Sequence, residues 1–93
     1  MLKHNTYFEG KVQSVGFERN GRSQTVGVID VGEFHFNTQA AERMTVISGE
    51  LSVRLQGAAE WHTYPAGTVF EVASQSGFDV RAHSPAAYLC EFL

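Results

Sequence analysis

The chain has 93 residues, a formal net charge of −3, 43% hydrophobic and 18% charged residues, and one cysteine. A chain of this length holds one domain, taken as residues 1–93, with a modest core, because a domain this small buries only ~60% of its unfolded surface. The acidic balance argues against a nucleic-acid partner, a lone cysteine excludes an intrachain disulfide, and no apolar run approaches the ~20 residues of a membrane span.

The N-terminal stretch MLKHNTYFEG has neither an apolar segment nor a cleavage site, so no signal peptide is expected. Together with the single Cys90 this sets the expectation of a cytoplasmic protein with no membrane partner.

Glycines at 10, 16, 21, 27, 32, 49, 57, 67 and 77 divide short segments rich in Val, Ile, Thr, Phe and Tyr. That cadence predicts an all-β sandwich or barrel. In chain order the predicted strands cover 7–17, 24–31, 33–37, 44–48, 51–56, 61–63, 68–72, 78–83 and 86–92. Residues 1–6, with His4, read as a frayed end. Gly21 in RNGR reads as a turn between the first two strands, and Gly32 in DVGEF and Gly49 in ISGEL as hairpin turns. TQAAER offers the one short helical turn. Gly67 in YPAGTVF follows a proline that leads the chain into a turn. In LSVRL, Leu51, Val53 and Leu55 face one way and Ser52 and Arg54 the other; FDVRAH sets Phe78, Val80 and Ala82 against Asp79, Arg81 and His83.

EFHFNTQAAERMTVISGEL contains His35, Asn37, Glu42 and Gly49, and PAGTVF follows with Pro65, Gly67 and Phe70. This spacing resembles the cupin superfamily, where a His-x-His pair, a Glu, a Gly and a later Pro-x-Gly turn lead to a third His. The resemblance implies a cupin, a jelly-roll barrel also called a double-stranded β-helix. Aligned this way, His35 and Asn37 take the first two ligand positions, Glu42 the carboxylate position and Phe70 that of the third His. A divalent transition metal wants several imidazole, carboxylate or thiolate donors on one point. One imidazole and one carboxylate, with a weak Asn and no donor at Phe70, are too few, so no metal cofactor is expected. His4, His62 and His83 read as structural or solvated residues.

No nucleophile elbow surrounds Ser48, no base is evident beside Cys90, and no Gly-rich loop opens a helix. Glu42 remains. The cupin alignment turns it inward with Met44 and Val46, where a carboxylate needs a partner. Arg81 is the expected partner, with Arg43 and Arg22 as others.

Most of the chain has a closer likeness. YFEGKVQSVGF, GRSQTVGVIDVGEFHF, ERMTVISGELSV, YPAGTVFEV and SPAAYLCEFL together resemble the small cupin-type pyrimidine/purine nucleoside phosphorylases. The resemblance implies a homodimer that cleaves a broad set of nucleosides with inorganic phosphate, giving free base and α-D-ribose 1-phosphate. Such a reaction passes through an oxocarbenium-like state, by analogy with glycoside cleavage. It calls for a cationic phosphate cradle, expected at Arg81 with Arg43 and the Thr45 hydroxyl. It calls for an acceptor for the ribose hydroxyls, expected at Glu42, and a stacking ring for the base from Phe34, Phe70 or Tyr88. His35 is expected at the sugar or the leaving base, and Asn37 among the substrate-binding residues. Two alternatives carry a similar sequence: a cupin that binds a small ligand without catalysis, and a metal-dependent dioxygenase or isomerase with an unusual ligand set.

Overall fold

The computed structural model describes residues 1–93. Ten strands form two antiparallel sheets. They are β1 Lys3–Tyr7, β2 Val12–Arg19, β3 Arg22–Ile29, β4 Gly32–Asn37, β5 Glu42–Ser48, β6 Glu50–Leu55, β7 His62–Pro65, β8 Val69–Val72, β9 Gly77–Ala82 and β10 Ala86–Phe92. One sheet runs β1-β2-β3-β10-β5-β8 and the other β4-β9-β6-β7. The two faces packed together make the jelly roll.

The predicted first strand, 7–17, is two strands with a break between them. Phe8 and Glu9 take φ of +52° and +57°, and a 3-10 turn over Phe8–Gly10 folds the chain back. The end read as frayed is β1, paired with β2 from Lys3↔Gly16 to Tyr7↔Val12, and His4 Nε2 meets Gln13 Oε1 at 3.1 Å. Asn20 and Gly21, at φ +54° and +74°, close the β2–β3 hairpin. Positive φ at both central residues matches the twist of the flanking strands, and Asn-Gly tolerates it.

Gly32 and Gly49 do not make hairpins. β3 and β4 lie in different sheets, as do β5 and β6, so both glycines lie where the chain crosses between layers. TQAAER forms no helical turn: Thr38–Ala41 is an irregular bend, and Glu42 and Arg43 already belong to β5. The turn after Pro65 forms as expected, with Thr68 Oγ1 donating to Pro65 O at 2.6 Å and Gly67 N to Val46 O at 2.8 Å.

Alternation decides the core. Leu51 and Val53, Phe78, Val80 and Ala82, and Met44 and Val46 are buried between the sheets, while Leu55 stays exposed. Rings join this core in sequence: Tyr64 to Phe70 at 4.7 Å, Phe70 to Phe78 at 6.1 Å, and Phe78 to Phe36 at 5.6 Å. One end of the barrel is filled this way. At the other, Ser14, Ser23, Thr25 and Glu42 face inward and the core gives way to a cavity.

Candidate functional site

The cavity has a volume of about 550 Å³, within the size range of small-molecule sites. Its polar lining comes from Ser14, Ser23, Thr25, Asn37, Gln39 and Glu42. Its apolar wall includes Tyr7, Phe36, Phe78, Met44, Tyr88 and Cys90. No Lys, Arg or His lines it.

The rim is held by backbone bonds. Thr38 N donates to Ser76 O at 2.9 Å, Gln75 N to Gln39 O at 3.0 Å and Leu93 N to Ala41 O at 2.8 Å. The buried Thr38 hydroxyl donates to Ala73 O at 2.6 Å and accepts from Ser76 N at 3.0 Å. The chain thus delivers Gln39, Ala40 and Glu42 to the mouth in a set order.

Glu42 is half-buried, and burial raises its carboxyl above the ordinary range. Cys90 Sγ donates to Glu42 Oε1 at 3.5 Å and opposes that rise. The Cys90 thiol is pushed up by burial and by the Glu42 charge, so it stays protonated. Burial also raises the Tyr88 phenol to about 12. Tyr88 lies against Gly27, where an added Cβ would come within 2.5 Å of the phenol oxygen and 2.8 Å of Gln13 O. A side chain there would displace the ring from the cavity wall.

Of the residues expected at the site, Glu42, Asn37 and Tyr88 border the cavity. The others lie elsewhere. Arg81 is on the outer face of β9, where Nε and Nη2 donate to Glu33 Oε1 at 3.2 and 3.1 Å, so it does not pair with Glu42. Arg43 lies on the outer face of β5 and donates to Glu71 at 3.2 Å. Thr45 faces outward in a cross-strand row with Leu89 and Val69. Phe34 and Phe70 are buried core rings outside the cavity lining.

His35 is also outside. Its Nδ1 contacts Asp79 Oδ1 at 2.8 Å and its Nε2 contacts Asn37 Oδ1 at 3.0 Å. Asp79 can only accept, so Nδ1 donates to it, and the Asn37 amide presents its oxygen to Nε2, an arrangement that favours the protonated ring. The hydrogen bond to Asp79 is the main cause of the raised His35 pKa. Asp79 is lowered by His35 first and then by Arg54, whose Nε and Nη2 reach Oδ2 at 3.2 and 3.0 Å.

The misplacement of His35 comes from a phase error of one residue in β4. In β4 the inward residues are Phe34 and Phe36, so His35 projects outward, and Asn37, at the end of the strand, meets the cavity only at its rim while its Oδ1 contacts His35. A one-residue slip in a strand moves every side chain to the other face. The apolar alternation of Phe34 and Phe36 carried the correct phase, and it would also have marked Phe36 as a cavity ring. Ser14, Ser23, Thr25 and Gln39 had no comparable signal, because small polar residues fit either face. The corrected phase also bears on a cupin metal. Phe36 points inward, Thr38 is engaged by Ala73 and Ser76, Phe70 has no donor, and no group of three His, Cys, Asp or Glu converges. These residues do not fit a transition-metal centre.

The fold and its cavity define a small cupin-type barrel with an open pocket poor in metal-ligating side chains. Residues 2–92 match the model of the family described as pyrimidine/purine nucleoside phosphorylase. A pyrimidine/purine nucleoside phosphorylase from Sorangium cellulosum is 73% identical over 93 residues, covering 100% of both chains. A crystal structure of a protein of unknown function from Vibrio parahaemolyticus superposes with a TM-score of 0.98 at 46% identity, covering 100% of this chain and 99% of that one. An ethanolamine utilization protein from Salmonella typhimurium shares the fold alone, with a TM-score of 0.77 at 17% identity over 99% of this chain and 93% of that one. The chain belongs to the pyrimidine/purine nucleoside phosphorylase family.

Proposed function

We infer that the chain catalyses phosphorolysis of purine and pyrimidine nucleosides to free base and α-D-ribose 1-phosphate, with broad specificity and without a metal. The observation that carries this reading is the half-buried Glu42 opening into a cavity of about 550 Å³ beside hydroxyl, amide and aromatic side chains. Glu42 accepts from the ribose hydroxyls, and its charge stabilises the developing oxocarbenium ion. Phe36, Phe78 and Tyr88 offer rings to the base, with little hydrogen-bond readout to tell purine from pyrimidine.

Phosphate needs positive charge at the mouth. Arg43, Arg54 and Arg81 are each tied to a carboxylate on an outer face. Arg22 and its cross-strand partner Arg19 form no ion pair; they lie with Gln24 and Glu91 in a separate polar depression by the tip of the β2–β3 hairpin, one residue along the chain from Ser23 of the cavity lining. In this reading the β2–β3 hairpin supplies the cation. Two copies pair through the outer face of the larger sheet, where Val15, Val26, Leu89, Thr45 and Val69 form one cross-strand row. A cytoplasmic setting is part of the same reading, supported by the free thiol.

The lack of any cation in the cavity lining favours a second reading, a pocket that binds a small ligand without turnover. Incubation with uridine or adenosine, with and without phosphate and in the presence of a chelator, separates the two. Phosphate-dependent release of base under chelation supports the enzyme; no release under any condition leaves the binder.

A further inference from the structure

The geometry points to Cys90 as a positioning residue of this site, its thiol holding the Glu42 carboxylate aimed into the cavity. The inference rests on the reading of Glu42 as the sugar-binding carboxylate.

Glu42 has few other means of orientation. It forms no ion pair, and its cross-strand neighbours on β8 and β10 are Val72 and Phe92, neither of which offers a side-chain donor. The 3.5 Å contact from Cys90 Sγ is its side-chain hydrogen bond. A thiol is a weak donor, but an ionised acceptor strengthens the bond.

The placement of Cys90 suits that task and no other. It is 3% exposed, and its thiol stays protonated, so it serves neither as a nucleophile nor as a metal-binding thiolate. Its cross-strand neighbours are Thr25 on β3 and Met44 on β5. The Thr25 hydroxyl partly opposes the rise in the thiol's pKa. Thr25, Cys90 and Glu42 thus join three neighbouring strands across the inner face of the larger sheet.

The test titrates the Glu42 carboxyl by carbon-detected NMR in wild type, Cys90→Ala and Cys90→Ser, with uridine phosphorolysis followed alongside. Loss of the donor in Cys90→Ala shifts the Glu42 midpoint to higher pH. It moves the acid limb of kcat/KM the same way and lowers kcat/KM roughly tenfold, the size of one hydrogen bond to a charged group. Cys90→Ser keeps a donor and returns the midpoint toward wild type. In a Glu42→Gln background Cys90→Ala has no further effect on kcat/KM. An unchanged Glu42 midpoint in folded Cys90→Ala, or a Cys90→Ser variant that behaves like Cys90→Ala, overturns the proposal. The NMR midpoint is read whether or not the wild type turns over uridine, so failure of the assigned reaction is seen separately.

Discussion

Arg81 covers the ring of Trp61 with its guanidinium 4.0 Å from the centroid while donating twice to Glu33. Arg54 approaches the same ring at 4.8 Å and holds Asp79. The outer face of the smaller sheet is therefore a self-paired polar surface, and its arginines are already engaged. Arg81→Ala is expected to leave the KM for phosphate within about twofold of wild type. It should lower stability by no more than ~1 kcal/mol, as exposed pairs do. Arg22→Ala should raise that KM about tenfold or more. Steady-state kinetics against phosphate decide between them; the reverse pattern would return the cradle to Arg81.

Glu42→Gln removes the charge and keeps the shape. It is expected to lower kcat/KM by about 10–100-fold, since a charged acceptor is lost. Its effect on stability has the opposite sign. The folded-state pKa of Glu42 is raised above the ordinary value of 4.5. Its contribution is therefore fully present below that value and is lost as pH rises through the folded pKa. The variant should melt higher than wild type near neutral pH, with the difference closing in acid. Thermal melts at a series of pH values measure this.

The His35–Asp79 pair has a defined pH window. His35 is raised above 6.5, so its contribution is complete below that value and is lost as pH rises through the folded pKa. Asp79 is lowered below 3.8, so its contribution is present above that value and is lost as pH falls through the folded pKa. His35→Gln should lower Tm between these limits and make little difference in alkali. The change should be small, because the His35 side chain is 51% exposed.

Gly27→Ala forces a methyl into the Tyr88 phenol and should destabilise the fold by about 1–3 kcal/mol, as overpacking does. Gly16→Ala is its control. There the nearest atom to an added Cβ is Lys3 O at 3.7 Å, an ordinary contact, and the change should fall within ~0.5 kcal/mol. Urea unfolding of the two variants gives the comparison.

Val26 is 42% exposed in the middle of the apolar row on the larger sheet. If two copies pair there, Val26→Asp buries an uncompensated charge and should convert a dimer into a monomer in light scattering. A wild type that is monomeric at micromolar concentration contradicts the pairing.

Strand cadence was readable because Val, Ile and aromatic residues alternate with polar ones between glycines. The inward set Glu42, Met44 and Val46 followed from that alternation and from the cupin spacing. Topology was not readable at Gly32 and Gly49, because a glycine between strands marks a change of direction and carries no information on which sheet receives the next strand. β1 was hidden in a polar segment, KHNTY, whose strand character comes from pairing with β2. The site suffered most where motif spacing outweighed alternation. Treating His35 as a ligand put β4 one residue out of phase, and Arg81 was placed by charge although its own strand alternation set it opposite Val80 and Ala82.

Trp61 is the chain's only tryptophan, and it stands outside the barrel beneath two guanidinium groups. Its fluorescence reports the ionic surface of the smaller sheet and is screened from whatever fills the cavity. Tyrosine emission, with Tyr88 and Tyr7 on the cavity wall, is the optical signal that an arriving nucleoside would quench.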